Sequence, residues 1–211
     1  MRPRIAAPAL VLTLLFAGSA SANLIQNGSF EDGDFSPPSN QTMTLAPGAT
    51  ALAGWQIVND SLAWIGTGNP WGLTAQDGDR FLDLSDYSAG PPFGGVQQSF
   101  ASTTGYEYTV TFQFGSSTFW GRPAALTVSA AGQSETFQSE LTGGNNDWDE
   151  KSFVFVAMGS TTTLSFVGAS GVDYIGLDNV DVAVSAVPEP ASVMLMLSGL
   201  AALGLSRRRG S

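Results

Sequence analysis

Two groupings of carboxylates are the first candidates for chemistry in this chain: Asp147, Asp149 and Glu150 in "NNDWDEKS", and Asp83 with Asp86 in "FLDLSD". Glycoside hydrolysis uses such a pair, held about 5 to 10 Å apart across a cleft. The chain has no histidine and no cysteine. Their absence removes the usual general base, a thiol nucleophile, a His-dependent serine triad and ordinary zinc sites. Acids are so frequent that pairs arise by chance, and solvated loops account for them more simply, so the expectation is a protein that is not an enzyme. Binding asks for less. Trp71 in "GNPWG" and Trp120 in "STFWGRP" sit among turn residues, where a large ring can lie open to stack on the C–H face of a sugar. Arg122 adds a fork of donors beside Trp120. The competing role for both tryptophans is a lid packed on the core, while Trp55 and Trp148 border strands and read as core.

The elements that must position these residues are strands. Tyr106, Tyr108, Val110, Phe112 and Phe114 alternate with Glu107, Thr109, Thr111 and Gln113, a period of two that puts one face in a core and the other in water. Further strands are expected at 54–59, 80–84, 95–100, 124–130, 135–139, 152–157, 162–167 and 173–184, with Gly, Pro, Asn and Asp between them. No stretch of helical period occurs between Asn23 and Ala186, and no tandem repeat. Such a chain is all-β: an antiparallel β-sandwich of the two-sheet jelly-roll kind.

The two ends differ from this middle. Arg2 and Arg4, an apolar run from Ala6 to Ala17 and the small residues Ala20-Ser21-Ala22 have the form of a signal peptide over 1–22, removed by signal peptidase. At the other end, 187–211 reads "VPEPASVMLMLSGLAALGLSRRRGS". Ala191 to Ser206 is apolar or small throughout and as a helix reaches about 24 Å, a little under the roughly 30 Å of a bilayer core. Arg207 to Arg209 would hold its far end at the cytoplasmic face, and Pro188 and Pro190 keep the preceding stretch extended. Val187-Pro188-Glu189-Pro190, the short apolar helix and the arginine cluster together resemble the bacterial PEP-CTERM sorting signal. That resemblance implies handling by an exosortase, a transient inner-membrane anchor, and delivery to the outer cell surface or extracellular matrix. The competing reading is an ordinary anchor that is retained.

Residues 23–186 then form one domain. Seventeen acids there face only Arg80, Arg122 and Lys151, so nucleic acid is excluded as a partner. "NLIQNGSFE" from Asn23, Gly54-Trp55, "DGDRFLDLS" from Asp77, "GGVQQSF" from Gly94, "YTVTFQF" from Tyr108 and "IGLDNVDV" from Ile175 resemble, in that order, the galactose-binding-like jelly rolls. Among these, the likeness is to choice-of-anchor proteins and a family of unknown function from plant cell walls. The resemblance implies a carbohydrate-binding-type sandwich outside the cell. It also implies a structural calcium held by Glu31 and Asp178, with the carbonyl of Gly28 among the remaining ligands. Calcium takes six to eight hard oxygens, which makes such a set chemically sensible. The alternative is that Glu31 caps a turn and Asp178 sits at a bulge. The function expected is an exported module that binds polysaccharide through Trp71, Trp120 and Arg122, against a structural matrix protein with no specific ligand. Exposed rings lining a groove would favour the first, and a polar surface without rings the second.

Overall fold

The computed structural model describes residues 23–88, 90–117, 124–139, 147–172 and 174–185, and within them the chain forms strands and no helix. The strands are β1 (Thr42–Leu45), β2 (Gln56–Val58), β3 (Leu62–Gly66), β4 (Arg80–Asp83), β5 (Gly95–Ala101), β6 (Glu107–Ser116), β7 (Ala125–Ala130), β8 (Gln133–Gln138), β9 (Asp147–Val156), β10 (Thr161–Ser170) and β11 (Gly176–Val184). They make two sheets, β1-β3-β4-β11-β6-β9 and β2-β5-β10-β7-β8. Every strand pairing is antiparallel. The expected jelly-roll sandwich is the one observed.

Alternation explains most of it. Tyr108, Val110, Phe112 and Phe114 of β6 are buried, as are Val96 and Phe100 of β5, Leu164 and Phe166 of β10, and Leu126 and Val128 of β7. Between the sheets Phe166 lies 5.1 Å from Phe112, while within one sheet Tyr108 stacks on its cross-strand partner Phe155 at 5.4 Å and Trp55, leading into β2, lies 6.4 Å from Phe166. Each such aromatic side chain contributes about 1.5–3 kcal/mol by leaving water.

Two departures from the sequence pattern matter. β3, "LAWIG", is buried at every position, so it has no alternation to read. Its inner residues Leu62 and Trp64 join the main core, while Ala63 and Ile65 pack outward under a second apolar cluster with Leu73, Phe81 and Tyr174. The opening segment 23–31 is not a strand, because Asn27 (φ 53°) and Phe30 (φ 58°) take left-handed backbone. It still lies along the last strand: the Leu24 amide donates to the Val182 carbonyl, and the Val180 amide to that of Gly28, each at 2.9 Å. Trp55 Nε1 donates to Asn27 O at 2.9 Å and Trp64 Nε1 to Phe30 O at 3.0 Å, which fixes the irregular segment over the core.

Register defines two ends of the sandwich. Asp147 faces Ser116, and Gly176 faces both Gly115 and Asp83 at one end. At the other, Val156 faces Glu107 and Val184 faces Tyr108.

Candidate functional site

Glu31 and Asp178 approach one another's territory, yet both serve the same loop. Asp178 stands where β11 carries one extra residue relative to β6, next to Asn179 at φ 46°. Such a bulge bends the strand and re-aims the side chain. Asp178 Oδ2 accepts the amides of Gln76 and Asp77 at 2.7 and 3.0 Å, and Oδ1 accepts that of Asn179 at 2.7 Å. Glu31 Oε1 accepts the amides of Asp79 and Arg80 at 2.7 and 2.6 Å. Arg80 Nη1 donates to the Glu31 carbonyl oxygen and lies 3.3 Å from Oε2. The guanidinium also covers the rings of Phe35 and Trp64, 5.0 and 5.8 Å from their centroids.

This donor set does not fit calcium. Three of the four carboxylate oxygens already accept N–H groups, the fourth faces a guanidinium, and the carbonyl of Gly28 is taken by the Val180 amide. A cation would have to displace amide donors and sit beside Arg80. The turn-capping and bulge roles describe Glu31 and Asp178, and the loop amides occupy the place that the resemblance gave to the ion. Adding a chelator is accordingly expected to leave the melting temperature unchanged in a calorimetric scan, whereas a drop restored by calcium would reverse this assignment.

Trp71 is half-buried, packed with the second apolar cluster and set against Tyr87 at 4.9 Å between centroids, the rings tilted by 32°. Tyr87 in turn donates its hydroxyl to Thr42 Oγ1 at 3.1 Å. Trp71 thus acts as part of the lid over the outer face of β3 and β4. Trp148 lies edge-on to Phe81 at 5.7 Å and donates to the carbonyl of Thr74 at 3.0 Å, a core-edge position, as expected. Trp120 and Arg122 lie outside the described residues.

The paired carboxylates are also placed. Asp83 is fully buried: Oδ1 accepts from the Ile175 amide at 2.8 Å and from the amide and hydroxyl of Ser85 at 2.9 and 2.8 Å, and Oδ2 from the Tyr87 amide at 3.4 Å. Burial pushes its pKa up to about 6 against the pull of those donors. Asp86 accepts from Thr44 Oγ1 at 3.0 Å, and its pKa is likewise raised by burial. Asp83 is sealed beneath the lid, so these two do not flank a cleft. Asp149 lies 3.9 Å from Lys151, and Glu150 pairs across to Gln113.

The open polar surface lies on the other sheet. One row crosses all five strands in register: Gln56 faces Gln97, Gln97 faces Ser165, Ser165 faces Ser129, and Ser129 faces Ser134. Beside it Ser99 bonds Thr163 at 2.8 Å and Thr127 bonds Thr136 at 2.9 Å. Two shallow depressions, about 420 and 470 Å³, share Gln97 as a wall. The first lies between Gln97 to Ala101 and the segments of Leu24, Gln26, Gly54 and Gln56. The second runs over Ser129, Gln133, Ser134, Thr163 and Ser165. Gln98, pointing inward, positions one wall: its amide accepts from Gln26 N at 2.8 Å and donates to Gln26 O at 2.9 Å. Gln97 Nε2 donates to Gln56 Oε1 at 2.9 Å. That bond leaves a Gln97 oxygen and the Gln56 amide group without a protein partner among the described residues. The lining contains neither a charge nor an aromatic face aimed outward. Sequence reasoning passed over this groove because it looked for rings and charges; the signal available was that the middle of the outward half of the alternation in β5, β7 and β10 is Gln97, Ser99, Thr127, Ser129, Thr163 and Ser165.

Comparison with known proteins agrees with this architecture. The family described as protein of unknown function (DUF642) matches residues 23–175, and the PEP-CTERM protein-sorting motif matches residues 186–209. Halomucin of Haloquadratum walsbyi is 30% identical over 190 residues, 85% of this chain, and the chain spans 2% of that relative's length. Among solved structures, a putative sugar binding protein from Bacteroides thetaiotaomicron superposes with a TM-score of 0.51 at 13% identity, covering 78% of this chain and 100% of that one. The xylan-binding domain CBM22-1 of Paenibacillus barcinonensis Xyn10C gives 0.48 at 15% identity, over 82% and 100% of the two chains. These likenesses are of fold.

Proposed function

Because this chain belongs to the DUF642 family and carries a PEP-CTERM sorting motif that marks it for the cell surface, we propose that it is a non-catalytic module holding neutral polysaccharide on that surface. In this reading the tail is inserted in the inner membrane and handed to an exosortase, and the ligand is the exopolysaccharide around the cell. The observation that carries it is the uncharged groove of Gln, Ser and Thr on an otherwise anionic domain. Amide and hydroxyl groups exchange hydrogen bonds with sugar hydroxyls at little desolvation cost, and nothing in the groove favours a uronate. The scarcity of cations elsewhere points the same way: Arg80 is paired with Glu31 and Lys151 lies beside Asp149. Without a stacking ring the affinity of one site is weak, on the order of a millimolar or about 4 kcal/mol, and retention comes from many copies acting on one long chain.

A second reading, a matrix protein without a specific ligand, is favoured by the same lack of rings in the groove. Affinity electrophoresis through neutral glucan and galactan gels separates the two. Replacing Gln97 and Ser165 together by Ala is expected to abolish retardation and to leave the melting temperature within about 2 °C, as surface substitutions do. Retardation that survives this change and is lost instead with Trp71→Ala would transfer the site to the tryptophan lid, and no retardation in any gel would favour the matrix role.

A further inference from the structure

The described residues expose five large apolar side chains, and four of them, Tyr106, Val154, Val156 and Met158, gather at one end. Val156 faces Glu107 and Val154 faces Thr109 across β9 and β6. The Ala157 amide donates to the carbonyl of Tyr106 at 2.9 Å, and Met158, 75% exposed, follows in the same turn. The described part of the chain also ends here: the Ser185 amide donates to Glu107 O at 2.9 Å. Ser185, the last described residue before the apolar tail, therefore lies beside the patch.

Six residue steps separate Ser185 from Ala191, the start of the apolar stretch. With two prolines holding that link extended at about 3.1 Å per residue, it reaches roughly 19 Å. A ten-residue strand such as β9 spans about 33 Å, so the link is much shorter than the domain. We propose that, while the tail is inserted, the sandwich stands on the lipid interface with Tyr106, Val154, Val156 and Met158 as its footing, and that the opposite end, with Trp71, Tyr87 and Ser88, points away. This rests on the membrane-inserted reading of residues 191–206. A tyrosine suits the interface, where one side of the ring is apolar and the hydroxyl stays wet. The acidity of the domain selects a zwitterionic lipid surface over an anionic one, since Glu107 is itself exposed at the footing.

The absence of cysteine allows a direct test. The full chain, carrying a single cysteine by Met158→Cys, Ser88→Cys or Leu197→Cys, is labelled with an environment-sensitive dye and reconstituted in phosphatidylcholine vesicles containing nitroxide lipids. The expected result is deep quenching at position 197, severalfold stronger headgroup-level quenching at 158 than at 88, and none at 88 beyond the lipid-free control. Quenching at 197 with equal signals at 158 and 88 would overturn the footing and leave the inserted tail standing. No quenching at 197 would overturn both. A label at 158 that becomes shielded with rising protein concentration in the absence of lipid would overturn the footing in favour of contact between copies of the chain.

Discussion

Raising the pH from 5 to 8 is expected to destabilise this domain, and Asp178→Ala to lower its stability by about 2–3 kcal/mol at either pH. Asp178 is buried against the loop amides of Gln76 and Asp77, and desolvation lifts its pKa to about 7 in spite of those donors; burial lifts Asp83 to about 6. Both folded values exceed the 3.8 of an unfolded aspartate. The native state therefore holds these protons more tightly than the unfolded chain. The stabilisation is complete below about pH 4 and is lost as the pH rises through about 6 for Asp83 and about 7 for Asp178. For Asp83 alone, the rise from 3.8 to about 6 corresponds to about 3 kcal/mol. Thermal melts across this range should show the midpoint falling with pH, by several degrees or more. Relief of repulsion among surface acids acts in the same direction, so Asp178→Ala provides the control: it should flatten the profile above pH 6. That variant also leaves the amides of Gln76, Asp77 and Asn179 without their acceptor. These bonds are part-buried and Gln76 and Asp77 are exposed, so each lost acceptor costs near the lower end of about 1–3 kcal/mol, and together they remove a sizeable share of a small domain's stability. A midpoint that rises between pH 5 and 8, or a variant that melts like the parent, would contradict this account of the loop.

Gly28→Ala is expected to be severely damaging for an exchange of a single hydrogen for a methyl group. A Cβ at Gly28 would lie 2.0 Å from the carbonyl oxygen of Val180 and 3.0 Å from its carbon, and a backbone atom cannot swing aside as a side chain can. The opening segment must then lift from β11, breaking the Val180 amide to Gly28 carbonyl bond and loosening Phe30, which is fully buried. Overpacking costs about 1–3 kcal/mol where side chains can adjust, and more is expected here. The segment also carries Leu24 and Gln26, which wall the first depression of the groove, so polysaccharide retention should fall with stability. Gly90→Ala, with nothing within 4 Å of the added carbon, is the matched control and should melt as the parent does. Equal midpoints for the two variants would show that the opening segment is not held as described.

How much of this could be read in the sequence depended on whether a residue's surroundings came from its own strand. β6 declares itself, because Tyr108 to Phe114 alternate with Thr109 to Gln113 and both faces keep their character. β3 does not, since Ala63 and Ile65 are covered by a loop that comes later in the chain. The meeting of Glu31 with the region of Asp178 was legible by resemblance, and so was the alternative that one caps a turn while the other sits at a bulge. What decided between ion and amide was the path of residues 76–80, which no periodicity reports. Trp71, placed among Gly, Asn and Pro, had the setting of an exposed ring, but Tyr87 and the cluster of Ile65, Phe81 and Tyr174 give it packing partners from other parts of the chain. The groove was written in plain view as Gln97, Ser99, Thr163, Ser165 and Ser129. Only strand pairing sets them side by side, Gln97, Ser165 and Ser129 in one row and Ser99 with Thr163 in the next.

The central claim, that this row is the ligand surface, is tested most directly by titrating the isotope-labelled domain with neutral glucan and galactan oligosaccharides while following amide and side-chain resonances. The account predicts millimolar shifts confined to the side-chain amides of Gln56 and Gln97 and the backbone amides of Ser99, Ser129 and Ser165. Shifts confined to the indole of Trp71 and its neighbours, or a spectrum unmoved at saturating sugar, would contradict it.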